Sequence, residues 1–460
     1  MAYLTSRGLG VVRQSIFNAL FGTGPEANAF YAAVRLPDTL FNLIAGGALT
    51  YALIPVFSSY EKENRQAEAW RLVSLVFNVM LVILTIFILL AEFLAPTFVA
   101  RLLVPGYSPS EQALITTLTR ILLVQPLILG VGTIATAVLS TKRQFLLPAL
   151  SIAIYNFGLI GGLLFSVAIP GVGIYGPTYG VLVTAVLQIL VQIWGVMKIG
   201  FRYSFTLDIR NKGLHDVMRL LIPNMIGIAV SSTGPILDTA YASYLPDKAS
   251  LAAIHNAQLL YVVPLTLLAQ TLSQAALPRL SILAATARYV RLSQLIRNMV
   301  VISFLLCMPC TLSLYFLGDK AIHLFFQHGA FTGHSSVITN LALLGYALGL
   351  PGDMIGQLLI PGFYALKDAW TPTFTGILSL VTRIILILLL LRFMTGIYVI
   401  LAIPLATSIS VTVDGVIRYI LLLLRLRTKL KQDKGMARLL QWRRSVYARS
   451  QHMHSIEPSH

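Results

Sequence analysis

Residues 72–90 read LVSLVFNVMLVILTIFILL, nineteen positions without a charge. A helix rises about 1.5 Å per residue, so about 20 apolar residues cross the roughly 30 Å hydrocarbon core of a bilayer. A membrane β-strand needs only about ten. The stretch is therefore read as the core of a transmembrane helix over 72–100. Working outward, comparable segments lie near 28–57, 113–140, 146–169 and 177–199. Others follow near 217–243, 251–283, 294–317, 336–364, 371–394 and 398–424. A twelfth, at 4–21, is short and carries Arg7 and Arg13. It reads as the second half of a helix whose beginning is expected upstream.

Composition supports the same class. Of 460 residues, 11% are charged and 57% hydrophobic, and the mean hydropathy is +0.79. Soluble domains carry about a quarter charged residues. In hydrocarbon only helices and closed barrels satisfy every backbone group, so the expected fold is an all-α integral membrane protein of about 12 transmembrane helices. A net charge of +17 would suggest nucleic acid in a soluble chain, but here it has a topological reading. With alternate loops assigned to the cytoplasm, starting after residue 57, that side holds 24 of the 34 lysines and arginines. The opposite side holds four, namely Arg101, Lys248, Lys320 and Arg392. Such an excess marks cytoplasmic loops. A cytoplasmic C-terminus is expected, and no nucleic-acid partner. The basic tail from Arg425, with Leu and Trp interspersed, suits either anionic phospholipids of the inner leaflet or a solvated positive tail. No cleavable signal peptide is expected, because Arg7 and Arg13 follow the start almost at once.

The halves echo each other. Pro126 is followed by Lys142 and Pro148 in PLILGVGTIATAVLSTKRQFLLP, and Pro351 by Lys367 and Pro372 in PGDMIGQLLIPGFYALKDAWTP. ALIPVFSSY likewise faces AALPRLSIL. The offset, about 225 residues, fits two six-helix pseudo-repeats around a central cavity, the plan of many secondary transporters. The expected division is an N-terminal lobe over 1–205, a C-terminal lobe over 206–427 and a basic cytoplasmic tail over 428–460. Cys307 and Cys310 lie in an apolar run and read as packing residues rather than a redox or metal pair. The histidines show no metal spacing, and no phosphate loop, nucleophile elbow or paired carboxylate is present. Neither a metal site nor an enzymatic activity is expected.

The run SRGLGVVRQSIFNALFGTGPEANAFYAAVRLPDTLFNLIAGGALTYALIPVF, residues 6–57, resembles the opening of the MurJ (MviN) family. Later blocks AALPRLS, QHGAFT and PGFYALKDAWTP extend the resemblance from Arg7 to about Arg427. These are bacterial inner-membrane flippases of lipid II, the lipid-linked peptidoglycan precursor, within the multidrug/oligosaccharidyl-lipid/polysaccharide exporter superfamily. The resemblance implies a polyprenyl-pyrophosphate glycan as substrate, alternating access, no cofactor, and cell-wall synthesis proteins among its partners. Members often have fourteen helices; twelve are counted here.

It also implies the site. Arg7, Arg13 and Arg35 match basic positions of an arginine-lined cavity, where guanidinium groups replace water around the pyrophosphate. Asn28, Asn42, Gly46 and Gln258 stand where relatives carry charged residues. Two family arginines are thereby amides (Asn42, Gln258), which hydrogen-bond without supplying charge. In some relatives an Asp on the seventh helix holds sodium with polar groups of helices eleven and twelve. Asp238 matches that Asp, and Thr382 and Asp414 are the nearest further ligands. Arg383 intrudes, flanked by apolar residues, and an unpaired guanidinium there is costly. Arg383 is therefore expected to pair with Asp238 or Asp414 in place of a cation, unless Asp414 pairs with Arg418 one turn away. Coupling is expected to come from membrane potential or an ion gradient. Three functions stay open at this point: a lipid II flippase, a flippase for another lipid-linked oligosaccharide, and a non-transporting pseudo-flippase or membrane scaffold. A drug/cation antiporter is disfavoured by the N-terminal arginines.

Overall fold

A computed structural model describes residues 2–45, 47–368 and 370–454; the side chains of 2–7, 45, 47, 48, 51, 152, 223, 224, 270 and 432–454 lie outside the description. Gly46 and the Arg7 side chain are thus outside it. The described chain is almost wholly helical: α1 (Ala2–Phe21), α2 (Pro25–Ala33), α3 (Arg35–Leu40), α4 (Gly47–Lys62), α5 (Gln66–Phe98), α6 (Pro109–Leu122) and α7 (Gln125–Thr141). Next come α8 (Leu146–Ala168), α9 (Tyr175–Lys198), α10 (Lys212–Ala242), α11 (Ser250–Leu265) and α12 (Thr271–Ala285). The series ends with α13 (Tyr289–Phe325), α14 (Gly333–Ala347), α15 (Leu350–Ala365), α16 (Trp370–Phe393) and α17 (Ala402–His454).

Among the described residues, nine helical stretches are long and apolar enough to cross a membrane, or ten if α14 and α15, bent by 49°, form one span. The expected twelve is not reached on length and composition. The two segments that fall short are the first two. α1 carries two arginines, and the segment expected at 28–57 is broken into α2, α3, a π-helical turn (Phe41–Ala45) and α4. The apolar exterior is what lipid contact requires: Phe93 is 81% and Phe393 74% exposed.

The pseudo-repeat is written into the backbone. Of three π-helical turns among the described residues, Phe41–Ala45, Val99–Leu103 and Thr266–Gln270, the first and last stand about 225 residues apart, a rare conformation to find at matching places. The only positive-φ residues other than glycine, among those described, are Asn64, Arg143, Ala287 and Lys367. They form two pairs at nearly the same offset. Each closes a helix in the same way, the following N–H donating back to a carbonyl five residues earlier: Arg65 to Tyr60, Gln144 to Leu139, Arg288 to Leu283 and Asp368 to Phe363. This is the Schellman cap, in which a left-handed residue lets the last carbonyls of a helix be satisfied. Pro55 inside α4 and Pro278 inside α12 also correspond.

Two compact units share the chain. The first comprises Met1–Leu260, Leu314–Tyr346 and Arg383–Ala406. Its core joins Leu53 and Phe57 of α4, Trp70, Leu72 and Leu75 of α5, Leu139 of α7 and Val217 of α10. α8 and α9 run together on glycines. A Cβ on Gly162 would sit 2.5 Å from the Gly176 carbonyl oxygen and 2.8 Å from the Gly180 Cα, the close backbone approach that small residues allow between membrane helices. The second unit comprises Tyr261–Ser313, Ala347–Thr382 and Thr407–His460. Its core gathers Leu280, Leu292, Ile296, Phe363, Leu422 and Leu426. Cys307 is buried and unbridged, as is the half-buried Cys310.

Candidate functional site: intramembrane arginines and a buried ion pair

The first unit holds most of the singled-out residues. Arg13 sits on α1, half-buried, with Nη1 donating to the Asn156 Oδ1 on α8 at 3.4 Å and the guanidinium over the Tyr155 ring at 5.6 Å. Arg35 opens α3, and its Nε donates to Thr239 Oγ1 on α10 at 3.2 Å. Both partners are neutral. Among the described residues neither Arg13 nor Arg35 joins an ion pair, although the carboxylates of Asp38 and Asp238 lie close enough to Arg35 to offset part of its charge.

Next to Thr239 the arrangement is the opposite. Asp238 on α10 is ion-paired with Arg383 on α16, the two side chains 6% and 13% exposed. The Arg383 Nη2 donates to Asp238 Oδ2, while Asp238 Oδ1 and Arg383 Nε find no partner among the described residues. Gly234, one turn before Asp238, makes room: a Cβ there would lie 3.0 Å from Arg383 Nη1. Of the pairings open from sequence, Arg383 takes Asp238.

Asp414 takes the other option. In the second unit its Oδ2 meets Arg418 Nη2 at 2.7 Å, one turn along α17. That guanidinium is fully used: Nε donates to Thr375 Oγ1 at 2.9 Å, Nη1 to the Gly356 carbonyl at 3.3 Å and Nη2 also to the Pro372 carbonyl at 3.5 Å. Arg418 thus ties α15, α16 and α17 together. Thr382 is half-buried, and its hydroxyl donates one turn back to Leu378 O.

Asn28 is buried and committed to backbone. Its amide nitrogen donates to Lys248 O, and its Oδ1 accepts from the Ala252 N–H at 2.8 Å, which fastens α2 to the start of α11. Asn42 lies exposed in the first π-helical turn, and Gln258 is half-buried on α11. The structure therefore groups Arg13, Arg35, Asp238 and Arg383 in one compact unit, while Asp414 belongs to the other.

Sequence reasoning missed a polar cluster beside the arginines. Gln14 and Asn18 of α1, Tyr31 of α2 and Asn256 of α11 are buried together, and His255 stacks on Tyr31 with ring centroids 3.9 Å apart. The available signal was polar side chains one helical turn apart, Gln14 and Asn18, inside a membrane segment. In the second unit Tyr261 donates to Asp353 Oδ2 at 2.7 Å and Gln357 to Asp353 Oδ1 at 3.1 Å.

A polytopic bundle built from two repeats, with charged side chains held at membrane depth, is by class a membrane transporter, not an enzyme. The family can be named as well. A model described as Lipid II flippase MurJ matches residues 17–446, and the chain belongs to that family. A lipid II flippase MurJ of Burkholderia cenocepacia is 29% identical over 375 residues, covering 80% of this chain and 72% of that protein. A solved structure of lipid II flippase MurJ in an inward closed conformation shares 26% identity with a TM-score of 0.78, covering 93% of this chain and 86% of that one. An inward-facing transporter of the MATE family, in the MOP superfamily, has the same fold at 14% identity, TM-score 0.78, covering 92% and 96% respectively.

Proposed function

We propose that this chain moves lipid II across the bacterial inner membrane by alternating access, with its C-terminal tail in the cytoplasm. One observation carries the reading. Arg13 and Arg35 lack an acidic partner among the described residues, whereas Arg383 and Arg418 each have one. An arginine at membrane depth costs about 2.5–3.5 kcal/mol on insertion scales. Two that are not held in an ion pair make sense where an anion visits, and a pyrophosphate accepts charge-assisted bonds from guanidinium groups. Their neutral partners Asn156 and Thr239 orient them without cancelling their charge.

Coupling follows from the other pair. The Arg383 guanidinium supplies the countercharge of Asp238, so the cycle needs no monovalent cation at that carboxylate and is driven by membrane potential. The basic end of α17, from Arg425 on, rests against anionic phospholipid headgroups. A second reading is favoured by Asn42 and Gln258: with two fewer cationic positions than its relatives, the chain handles another polyprenyl-linked glycan or no longer transports.

The deciding experiment is complementation of a strain depleted of its own lipid II flippase. The wild-type chain should rescue growth, and Arg7→Ala and Arg13→Ala should each abolish rescue. Full activity in both variants sinks the arginine-site reading. Rescue only by Asn42→Arg/Gln258→Arg would favour the second reading.

A further inference from the structure

The buried cluster next to the arginines does not balance its hydrogen bonds. Gln14 Nε2 lies within donating reach of three acceptors, Asn18 Oδ1 at 3.1 Å, Asn256 Oδ1 at 2.8 Å and the Tyr31 hydroxyl, yet a primary amide has two N–H groups. Asn256 Oδ1 accepts from both Gln14 and Asn18, the latter at 3.0 Å. Its own Nδ2, on a side chain 0% exposed, has no partner among the described residues, and neither has His255 Nδ1. Turning the three amides over together reverses these bonds and makes the unpaired Asn256 atom an oxygen, so in either arrangement one polar atom of Asn256 is left without a partner among the described residues. Buried polar groups are satisfied in the great majority of cases, and a half-satisfied network is costly. A cluster serving packing alone would be apolar or complete.

The position gives the surplus a use. Gln14 directly follows Arg13, and Arg35 lies one turn beyond Tyr31. Neutral polar groups therefore sit beside two guanidinium groups that join no ion pair among the described residues. Charge suits the pyrophosphate; a neutral amide and an imidazole stacked on a phenol suit hydroxyl and carbonyl oxygens. We propose that Asn256, with His255, is a specificity-determining subsite that hydrogen-bonds polar atoms of the glycan joined to the pyrophosphate. This rests on the flippase reading above. The subsite is enclosed in the present structure, so it meets its ligand when α1 and α11 part during the transport cycle. A site built to hydrogen-bond a ligand rejects one lacking the partner, because its own buried groups are then left unpaired.

The test uses the purified full chain and two probes, lipid II and undecaprenyl pyrophosphate, the latter carrying the anion without the glycan. His255→Phe keeps the ring stacked on Tyr31 and removes the imidazole nitrogens without adding charge; Asn256→Leu removes the amide altogether. In each, lipid II affinity should fall on the order of tenfold, with undecaprenyl pyrophosphate held within about twofold. Arg35→Ala should weaken both probes. If Asn256→Leu does not fold, His255→Phe decides alone. Equal losses for both probes, or unchanged lipid II binding in a folded variant, overturn the proposal. Wild-type protein that binds neither probe removes the flippase reading, and the subsite with it.

Discussion

Replacing Arg383 by Met puts the buried pair to its hardest test. The partner carboxylate of Asp238 is 6% exposed, and its second oxygen already has no hydrogen bond among the described residues, so losing the guanidinium leaves it with no bonded cation and only Arg35, hydrogen-bonded to the neighbouring Thr239, as a positive charge acting on it. Breaking one side of a buried ion pair leaves an uncompensated charge and costs about 3–5 kcal/mol. Replacing the whole pair, as in Arg383→Met/Asp238→Leu, is close to neutral or stabilising by about 1–4 kcal/mol. The cycle of wild type, two single variants and the double variant should therefore yield a coupling energy of several kcal/mol, read from denaturant unfolding in detergent. Sodium provides a second readout. If Arg383 serves as the countercharge, wild-type stability is indifferent to sodium, while Arg383→Met exposes a bare carboxylate that a cation can bind. At 100 times its dissociation constant, sodium would then stabilise that variant by about 2.7 kcal/mol. Sodium-dependent stabilisation of the wild type that disappears in Asp238→Ala would refute the reasoning.

Other variants probe the framework. Gly22 has φ +57°, and a Cβ there would lie 2.9 Å from the Ala330 carbonyl carbon. Gly22→Ala should cost about 2–3 kcal/mol by adding a clash to a left-handed residue's penalty, seen as a lowered melting temperature. Gly162→Ala should cost about 1–3 kcal/mol by forcing α8 and α9 apart, again by thermal unfolding. Arg418→Ala should cost about 3–5 kcal/mol by leaving Asp414 buried and unpaired; Arg418→Lys should fail to restore it, since an ammonium cannot reach a carboxylate, a hydroxyl and two carbonyls in the fork geometry.

How far the sequence could lead depended on whether a feature had an energetic signature of its own. Long apolar runs did, and ten of the expected segments reappear as helical spans. Hydropathy cannot see a π-helical turn, so the broken stretch from Pro25 to Lys62 read as one span. The charged pair was legible for the same kind of reason: a guanidinium among Ile and Leu demands a carboxylate, and Asp238 was one of two candidates. Amides raise no such alarm. Asn28 was singled out only because it stands where relatives carry a charge, and nothing in the sequence pointed to its bonds to the backbone of Lys248 and Ala252. Gln14, Tyr31 and Asn256 stayed hidden because each is unremarkable alone, and more than two hundred residues separate Gln14 from Asn256.

The repeat explains why one unit carries both open and closed charge. The offset between the halves, about 225 residues, sets Arg13 on α1 against Asp238 on α10, and α8 against α16. In each half the first helix meets the fifth at that level, through Arg13 and Asn156 in one case and Asp238 and Arg383 in the other. The junction is kept while its charge changes. The first-half version couples a cation to a neutral amide and keeps one positive charge available; the second-half version joins cation to anion and keeps none. Two copies of one helix junction thus differ, one a cation held by a neutral amide and the other self-neutralised. The self-neutralised copy fixes α10 against α16, and α10 supplies through Thr239 the hydroxyl that orients Arg35. Asp238 and Arg383 thereby hold in place the helix whose Thr239 orients Arg35.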